Sequence, residues 1–556
     1  MPYTAGLCRV VLLCFLAVAA PSFCQSEAPV NVDPRIWIDQ LGYRPQDLKL
    51  ARFTGQETPF SLVNESGKAV FSGTSTVAVF DPLSGESLRT FDFSGFTQAG
   101  VYHLAIPTGG RSPDFIIADD VYQKLTLASW QMLTYQRCGT ESGKNLDSDF
   151  YHAACHLGKA EIWGTSKTLK AEGGWHDAGD YGKYVVPGAI AVGHLLFAWD
   201  LGAMVPGLLE EARFELEWLL RMQDAGSGGV YHKLTSRSFP GMDVSPDYDL
   251  TTMVVSPISY TATADFGAVM AMASRIWKTT DPSFAKKCLA AARKAQGWIS
   301  AHPFLPFTNP AGITTGEYGD SVGRDEALWL SVEMLRATGE KAFATAVKKA
   351  VDSFGLRADS FGWADTGMFS VAGVLASDER LIDASVRQQA ELVLSARAGQ
   401  LLSIAKASPS GTMLRASDFH WGSNMTVLDQ AMILITASKW KLISDVAPVL
   451  ENLHYLLGSN PMGVCYVTGF GSNPVKNPHH RPSIAAGVFR PIAGMLSGGP
   501  NADLQDSLAK NSLVGQPPAK AFLDDSGSYS TNEVAVYWNT PLVFVLALLG
   551  QPDGGL

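Results

Sequence analysis

From Asp33 to about residue 118 the chain alternates apolar and polar positions in short runs broken by turn residues. Arg35–Gln40 alternates in this way, and similar runs recur at Phe60–Val63, Ala69–Phe71, Leu88–Phe93, Val101–Ile106 and Asp114–Ile117. A period of two puts one strand face in a core and the other in water, and glycine or proline between runs marks the turns. Gly42, Gly55, Gly67, Gly73, Pro82, Gly85, Gly100, Gly109 and Gly110 supply that punctuation. The pattern predicts a small β-sandwich over residues 33–118.

After Asp119 the hydrophobic period lengthens to that of helices. Candidate helices cover 119–136, 189–203, 207–222, 263–278, 284–301, 325–338, 341–354, 365–376, 381–397, 425–438, 442–458 and 534–549. In Leu208–Gln223, for example, Leu209, Ala212, Leu216 and Leu219 form one apolar stripe. Twelve helices joined without strands predict an all-α domain over 119–551, an α/α barrel of six hairpins. The connections 138–187, 303–324 and 459–533 are long for a compact domain, and such loops carry function.

The first residues change the picture of where the protein works. Arg9 precedes an apolar run from Val10 to Ala20 and then Pro21, the layout of a signal peptide over residues 1–24. Processing after Ala19 or after Cys24 both fit, and the expected compartment is secreted or periplasmic. Outside the leader only Cys138, Cys155, Cys288 and Cys465 remain, too few for a disulfide framework. Hydrophobic residues make up 46% and charged residues 17%, which excludes disorder. The net charge of −10, with no Lys/Arg-rich run, argues against nucleic acid or an anionic membrane as partner. The apolar run Leu542–Leu549 is too short to cross a bilayer and reads as a buried helix.

Three fragments carry candidate chemistry. GGWHDAGDYGKYV (173–185) sets Asp177 and Asp180 three residues apart among glycines. Neighbouring carboxylates raise each other's proton affinity and can hold and deprotonate a water, although the same pattern also suits a capping turn. FLDDSGSYSTNEVAVYWNTPLV (522–543) places Asp524, Asp525 and Glu533 before an apolar helix. An acid at a helix start is ordinary, whereas one among Tyr529, Tyr537 and Trp538 would be desolvated and kept protonated as a general acid. GFGSNPVKNPHHRPS (469–483) offers His479, His480 and Arg481 as donors to sugar hydroxyls or carboxylates, although the His pair alone also suits a surface turn or a metal site. Cys138, Cys155, His156 and His176 form a possible tetrahedral metal set, with a Cys138–Cys155 disulfide as the alternative.

Together with WIDQLGYRP (37–45), YQRCG (135–139), ELEWLLRMQ (215–223), GGVYHK (228–233), TATADFGAVMA (261–271), TGEYGD (315–320), WGSN (421–424) and GSNPMG (458–463), these fragments give the chain its resemblance. It resembles glycoside hydrolase family 9, in the branch with an N-terminal immunoglobulin-like domain. The resemblance covers nearly all of 35–550, and Phe522, Asp524, Tyr529, Glu533, Ala535, Asn539 and Thr540 meet the family's acid signature. It implies an (α/α)6 barrel that hydrolyses β-1,4-glucan with inversion, as an endoglucanase (cellulase). Asp180 is then the base, Glu533 the acid and Asp177 a second holder of the water, with His479, Asp524 and Arg481 in the active site. Tyr529, Tyr537 and Trp421 are candidates for sugar subsites. The resemblance also implies structural zinc on Cys138, Cys155, His156 and His176, and calcium on Ser321, Asp325 and Glu326. A second calcium segment is expected to be absent, since PGLLEE (206–211) has Gly207 where the family carries an acid. Exo-acting enzymes, glucosaminidases of the same family, a non-catalytic glucan-binding protein and a polysaccharide lyase are the alternatives. Retention of both acid and base disfavours pure binding, and the acidic pair fits hydrolysis better than lyase chemistry.

Overall fold

The computed structural model describes residues 32–550, so the leader expected over 1–24 lies outside the described residues. Nine strands build the N-terminal sandwich: β1 Ile36–Trp37, β2 Gly42–Tyr43, β3 Leu50–Phe53, β4 Pro59–Asn64, β5 Ala69–Thr74, β6 Val79–Asp81, β7 Glu86–Asp92, β8 Gly100–Ala105 and β9 Phe115–Ile117. They form two sheets, β1-β3-β7-β6 and β2-β9-β8-β4-β5. The inward positions of both sheets meet in an aromatic core, where Phe91 stacks on Phe53 and Phe60 with ring centroids 5.0 and 4.6 Å apart. The pattern of alternation missed β3 for a physical reason. Its outer face is covered by the helical domain, so Ala51, Arg52 and Phe53 are all buried and the period of two disappears.

All twelve expected helices are present, with shifted ends. They are α1 Gln123–Tyr135, α2 Val185–Asp200, α3 Leu208–Met222, α4 Tyr260–Ile276, α5 Pro282–Ala301, α6 Arg324–Thr338, α7 Lys341–Phe354, α8 Gly367–Leu375, α9 Ala384–Ala407, α10 Ser423–Lys439, α11 Ala447–Leu456 and a last helix Val536–Leu549. α2, α4, α6, α8, α10 and the last helix form the inner ring of an (α/α)6 barrel, and each is backed by an odd-numbered outer helix. Sequence dictates the layering. The last helix is apolar on every side and buried along its whole length, whereas α7 buries only Val347 and Val351.

The expectation of helices joined without strands is corrected. Thr168–Leu169, Ala160–Ile162, Val254–Val255, Lys233–Thr235 and Lys183–Tyr184 form a five-stranded sheet at one end of the barrel. Strands of two or three residues show no local period, and these pair across distant segments. The 223–259 connection, which the sequence pattern did not single out, supplies four short strands ahead of the inner helix α4, and two of them, Lys233–Thr235 and Val254–Val255, belong to this sheet.

The sandwich packs onto the barrel through a buried ion pair between Arg52 Nη2 and Glu451 Oε2 (2.5 Å). Arg44 donates to the Leu549 carbonyl at 2.7 Å, closing the C-terminal end of the last helix. Gln40 bridges into the 459–533 connection, donating to Gly463 O (2.8 Å) and accepting from the Asn473 N–H (2.8 Å).

Candidate active site

The 173–185 segment enters as a tight loop because Gly173 and Gly174 take left-handed φ values of 89° and 78°. Gly174 also lies against the Trp218 indole, where a side chain would collide. Lys183, fully buried, donates to the carbonyls of Ala171 (2.9 Å) and Gly173 (2.6 Å) and holds the loop closed. Within it the Asp177 N–H donates to Gly182 O (2.9 Å), and the Gly182 N–H donates to Asp180 Oδ2 (3.0 Å).

The two other singled-out fragments meet this loop at Gly179. The Arg481 N–H and its Nη1 both donate to Gly179 O, at 3.1 and 2.8 Å. The His479 N–H donates to Asn532 O and the Val536 N–H to Asp177 O, both at 2.8 Å. Segments more than three hundred residues apart are thereby stitched into one wall. The cleft they enclose, about 790 Å³, is lined by Asp177, Asp180, Glu533, His479, Arg481, Trp421, Tyr529 and Tyr537. Trp421 lies over Tyr529 with ring centroids 5.2 Å apart, and its 38% exposure leaves a face open to ligand.

Each acid has a distinct setting. Asp177 is buried, and Tyr318 donates its hydroxyl to Asp177 Oδ2 at 2.5 Å. Tyr318 itself sits at a left-handed φ of 48°, a strained position for a bulky residue and one found where function fixes geometry. Asp180 accepts from the Tyr184 hydroxyl at 3.1 Å. Burial raises Asp180 above the usual carboxylate range, opposed by the Gly182 N–H, the Arg481 charge and Tyr184. Glu533 remains partly accessible at the cleft wall. Desolvation, with the charges of Asp180 and Asp177, pushes it well above the ordinary glutamate value. Burial thus raises both carboxyls, but Asp180 has donors and a cation that favour its anion, whereas Glu533 faces two further acids and is raised more strongly.

Asp524 is not brought into the cleft. Its carboxylate accepts from the backbone N–H groups of Lys476 and Asn477 (both 2.8 Å) and from Asn532 Nδ2 (3.0 Å). It therefore fastens the loop that leads to His479. His479 donates Nδ1–H to the Ser526 carbonyl at 2.6 Å, which leaves its other ring nitrogen uncommitted. Tyr184, Tyr318, Trp363, Trp538, Phe239 and Met242 also line the cleft and were not identified as site residues from sequence. Tyr318 stood inside the TGEYGD fragment, so its acid-flanked aromatic was the available signal; Phe239 and Met242 had none.

Cys138, Cys155, His156 and His176 converge, with one ligand atom from each lying within 4.8 Å of all the others. Cys138 Sγ is 3.7 Å from His156 Nδ1, and Cys155 Sγ is 3.7 Å from His176 Nε2. Zinc bonds of about 2.3 Å to sulfur and about 2.1 Å to nitrogen give a tetrahedral S···N edge of about 3.6 Å, so the set fits. Both cysteines are free thiols in this arrangement, as a metal set requires. His156 is held at a left-handed φ of 51°, and its Nε2 faces Asp249 Oδ2 at 3.2 Å, the carboxylate backing common to metal-ligating histidines. The neighbouring His152 turns instead to the Ala153 carbonyl.

Around Glu326 a second polar cluster lacks partners. Both oxygens of Glu326 and of Asp265, and one each of Asp320 and Asp325, are buried without a hydrogen bond. The other Asp325 oxygen accepts from the Thr366 N–H at 3.0 Å, and Ser321 stands at the exposed edge. Orphaned carboxylate oxygens suit a hard cation. Asp265 and Asp320 were not anticipated, although an acid inside the apolar run of α4 is itself unusual. PGLLEE shows no such cluster: Glu211 pairs with Arg137 at 2.7 Å and accepts from Trp175 Nε1 at 2.8 Å.

Known proteins resemble this chain over most of its length. The family model described as glycosyl hydrolase family 9 matches residues 122–546, and that described as the cellulase N-terminal Ig-like domain matches 31–111. A cellodextrinase of Butyrivibrio fibrisolvens is 33% identical, over 92% of this chain and 99% of its own. Endoglucanase D of Acetivibrio thermocellus is also 33% identical, over 93% of this chain and 83% of its own. A solved single mutant of the thermostable endoglucanase from Alicyclobacillus acidocaldarius superposes with a TM-score of 0.89 at 40% identity, covering 93% of this chain and all of that one. With a matching catalytic-domain model over most of its length and the Ig-like module ahead of it, this chain belongs to glycosyl hydrolase family 9 and is a glycoside hydrolase.

Proposed function

We propose that the protein is an inverting endo-β-1,4-glucanase acting on cellulose or related β-glucans, with Asp180 as general base and Glu533 as general acid. The observation that carries this reading is the unequal setting of two carboxyls in one aromatic cleft, one with donors to its anion and one facing other acids. Asp180 is held by the Gly182 N–H and the Tyr184 hydroxyl beside Arg481. Glu533 is desolvated and faces the charge of the Asp pair, so it keeps its proton. In the reaction Asp180 takes a proton from water as the water oxygen bonds to the anomeric carbon. The bond from that carbon to the leaving oxygen breaks, and Glu533 gives that oxygen its proton. Asp177, held by Tyr318, orients the water. Trp421, Tyr529 and Tyr537 stack on sugar faces, and His479 and Arg481 address hydroxyls. The cellodextrinase and endoglucanase relatives support a β-glucan substrate.

Cys138, Cys155, His156 and His176 would hold zinc, which when bound supplies a structural cross-link; His176 directly precedes Asp177, so this set steadies the acid-bearing loop. Ser321, Asp325 and Glu326, with Asp265 and Asp320 beside them, would hold calcium between the inner helices α4 and α6. The sandwich braces the barrel, and the signal peptide over residues 1–24 directs export to the periplasm or the medium. Glu533→Gln is expected to lower turnover of unactivated glucan by at least about 10²-fold with the fold intact, and Asp180→Asn likewise. Nuclear magnetic resonance of fresh product should read the α-anomer. Wild-type turnover in Glu533→Gln, or a β-anomer, refutes the assignment.

A further inference from the structure

Lys233 lies on a three-residue strand whose register pairs it directly with Tyr184, the residue that donates to Asp180. Its side chain is fully buried, which is rare for lysine. The ammonium donates to Asn309 Oδ1 (2.6 Å), Thr315 Oγ1 (3.1 Å), Thr315 O (3.3 Å) and Gly316 O (2.5 Å). All of these acceptors are neutral. A buried cation without a contacting carboxylate is costly unless a nearby negative charge offsets it. Such a charge is close by: the ammonium stands 5.4 Å from the Tyr184 ring, on whose hydroxyl Asp180 rests, and Asp180 and Glu317 both pull on it electrostatically. Burial lowers the ammonium to about 8 against that pull, so it is charged at neutral pH.

The segment that Lys233 grips is the one that carries Tyr318. His232, just ahead of the strand, and Thr235, at its end, grip it too. His232 Nε2 faces Glu317 O at 2.8 Å, the His232 ring stacks on Phe307 with centroids 3.6 Å apart, and Thr235 Oγ1 meets Thr315 Oγ1 at 2.9 Å. Gly316 packs against the Tyr184 ring. Tyr318 follows at its strained φ and reaches Asp177. A residue held in an unfavourable backbone region persists only where its surroundings over-determine it.

We propose that Lys233 is a positioning residue for hydrolysis: its ammonium locks the 309–317 segment so that Tyr318 meets Asp177, and sets a positive charge behind Asp180. The proposal rests on the assignment of Asp180 as base. The groups that face Asp180 are Asp177, Tyr184, Arg481, Glu533 and Lys233. Of these only Arg481 and Lys233 are cations, so loss of either one favours the protonated, inactive base.

The test is kcat and KM on a soluble β-1,4-glucan across pH for Lys233→Met, Lys233→Arg and Asp180→Asn, with circular dichroism to verify folding. Lys233→Met is expected to lower kcat about 10²-fold, within the range of general-base contributions, with KM changed less than about threefold. Its acid limb should move up by about one pH unit, the size of effect that an opposite charge has on a neighbouring carboxyl. Lys233→Arg keeps the charge but not the bonding pattern, so kcat should fall while the acid limb stays in place. A folded Lys233→Met with wild-type kcat and acid limb overturns the proposal, as does an acid limb that moves equally in Lys233→Arg. Should Lys233→Met fail to fold, Lys233→Arg and Asn309→Ala carry the test, and wild-type kcat in both overturns it. Asp180→Asn separates the two claims: if it stays active the base assignment falls, and if it is dead while the lysine variants are unaffected only the role of Lys233 falls.

Discussion

Gly179 is the point at which the three catalytic segments touch, and replacing it by alanine puts a methyl where there is no room. A Cβ built on Gly179 collides with the His479 carbonyl oxygen and lies 3.0 Å from its carbonyl carbon and 3.1 Å from ring Cδ2. Non-bonded heavy atoms settle at about 3.5 Å, so the His479 segment, whose carbonyl oxygen makes the closest contact, must retreat by at least about 1 Å. It cannot retreat alone. The Arg481 N–H is bonded to Gly179 O, and His479 N–H to Asn532 O next to Glu533, so the shift reaches the acid as well as the base. A displacement of about 1 Å at a reacting centre costs about 10²-fold, or about 2.7 kcal/mol of barrier. Overpacking adds about 1–3 kcal/mol of lost stability, a fall of a few degrees in Tm. The assay is kcat/KM on a soluble glucan with calorimetry alongside, and Gly158→Ala, at a site with open space around it, is the control. Wild-type kcat/KM in Gly179→Ala would refute the claim that close backbone approach sets the acid–base geometry.

Other outcomes follow from the same geometry. Purified protein should carry about one equivalent of zinc, and Cys155→Ser should lose it and unfold at lower temperature; elemental analysis that finds no metal, with a Cys138–Cys155 disulfide, would defeat the zinc assignment. Arg52→Met leaves the Glu451 carboxylate buried without its partner and should cost about 3–5 kcal/mol in chemical denaturation, while an unchanged midpoint would remove the ion pair from the account of domain docking. Glu533→Gln should be inactive yet more stable than the parent at neutral and alkaline pH. The sign follows from linkage: the unfolded glutamate ionises near about 4.3, whereas the folded one is held well above it, so the native state is penalised progressively as pH rises past that value. Equal Tm values for the two proteins from pH 5 to 9 would contradict the raised affinity of Glu533 for its proton.

The barrel was legible in sequence because inner helices such as α2, α8 and the last one are apolar on nearly all sides while outer ones such as α3 and α7 show a single stripe, a pattern that survives without knowledge of neighbours. The acids, the cysteine and histidine ligands and the three long connections were legible because glycine, aromatic and acidic residues cluster locally around them. What stayed hidden depends on partners far along the chain. Arg52 looks like a surface residue until Glu451 arrives, and β3 loses its alternation for the same reason. Lys233 carries no local mark of its role, since it acts on residues supplied by another segment. Asp524 shows the converse: a place in the acid signature does not specify whether the carboxylate meets sugar or, as here, ties down a loop.

The grip of Gln40 on Gly463 and Asn473 has a consequence for engineering. That strip of polypeptide continues within a few residues to His479, so a glutamine of the first domain steadies a wall of the catalytic groove in the second. Trimming the chain down to its helical half would therefore not liberate a minimal catalyst. It would release a slack rim, bare the Glu451 carboxylate, and forfeit the activity that the shortened gene was meant to keep.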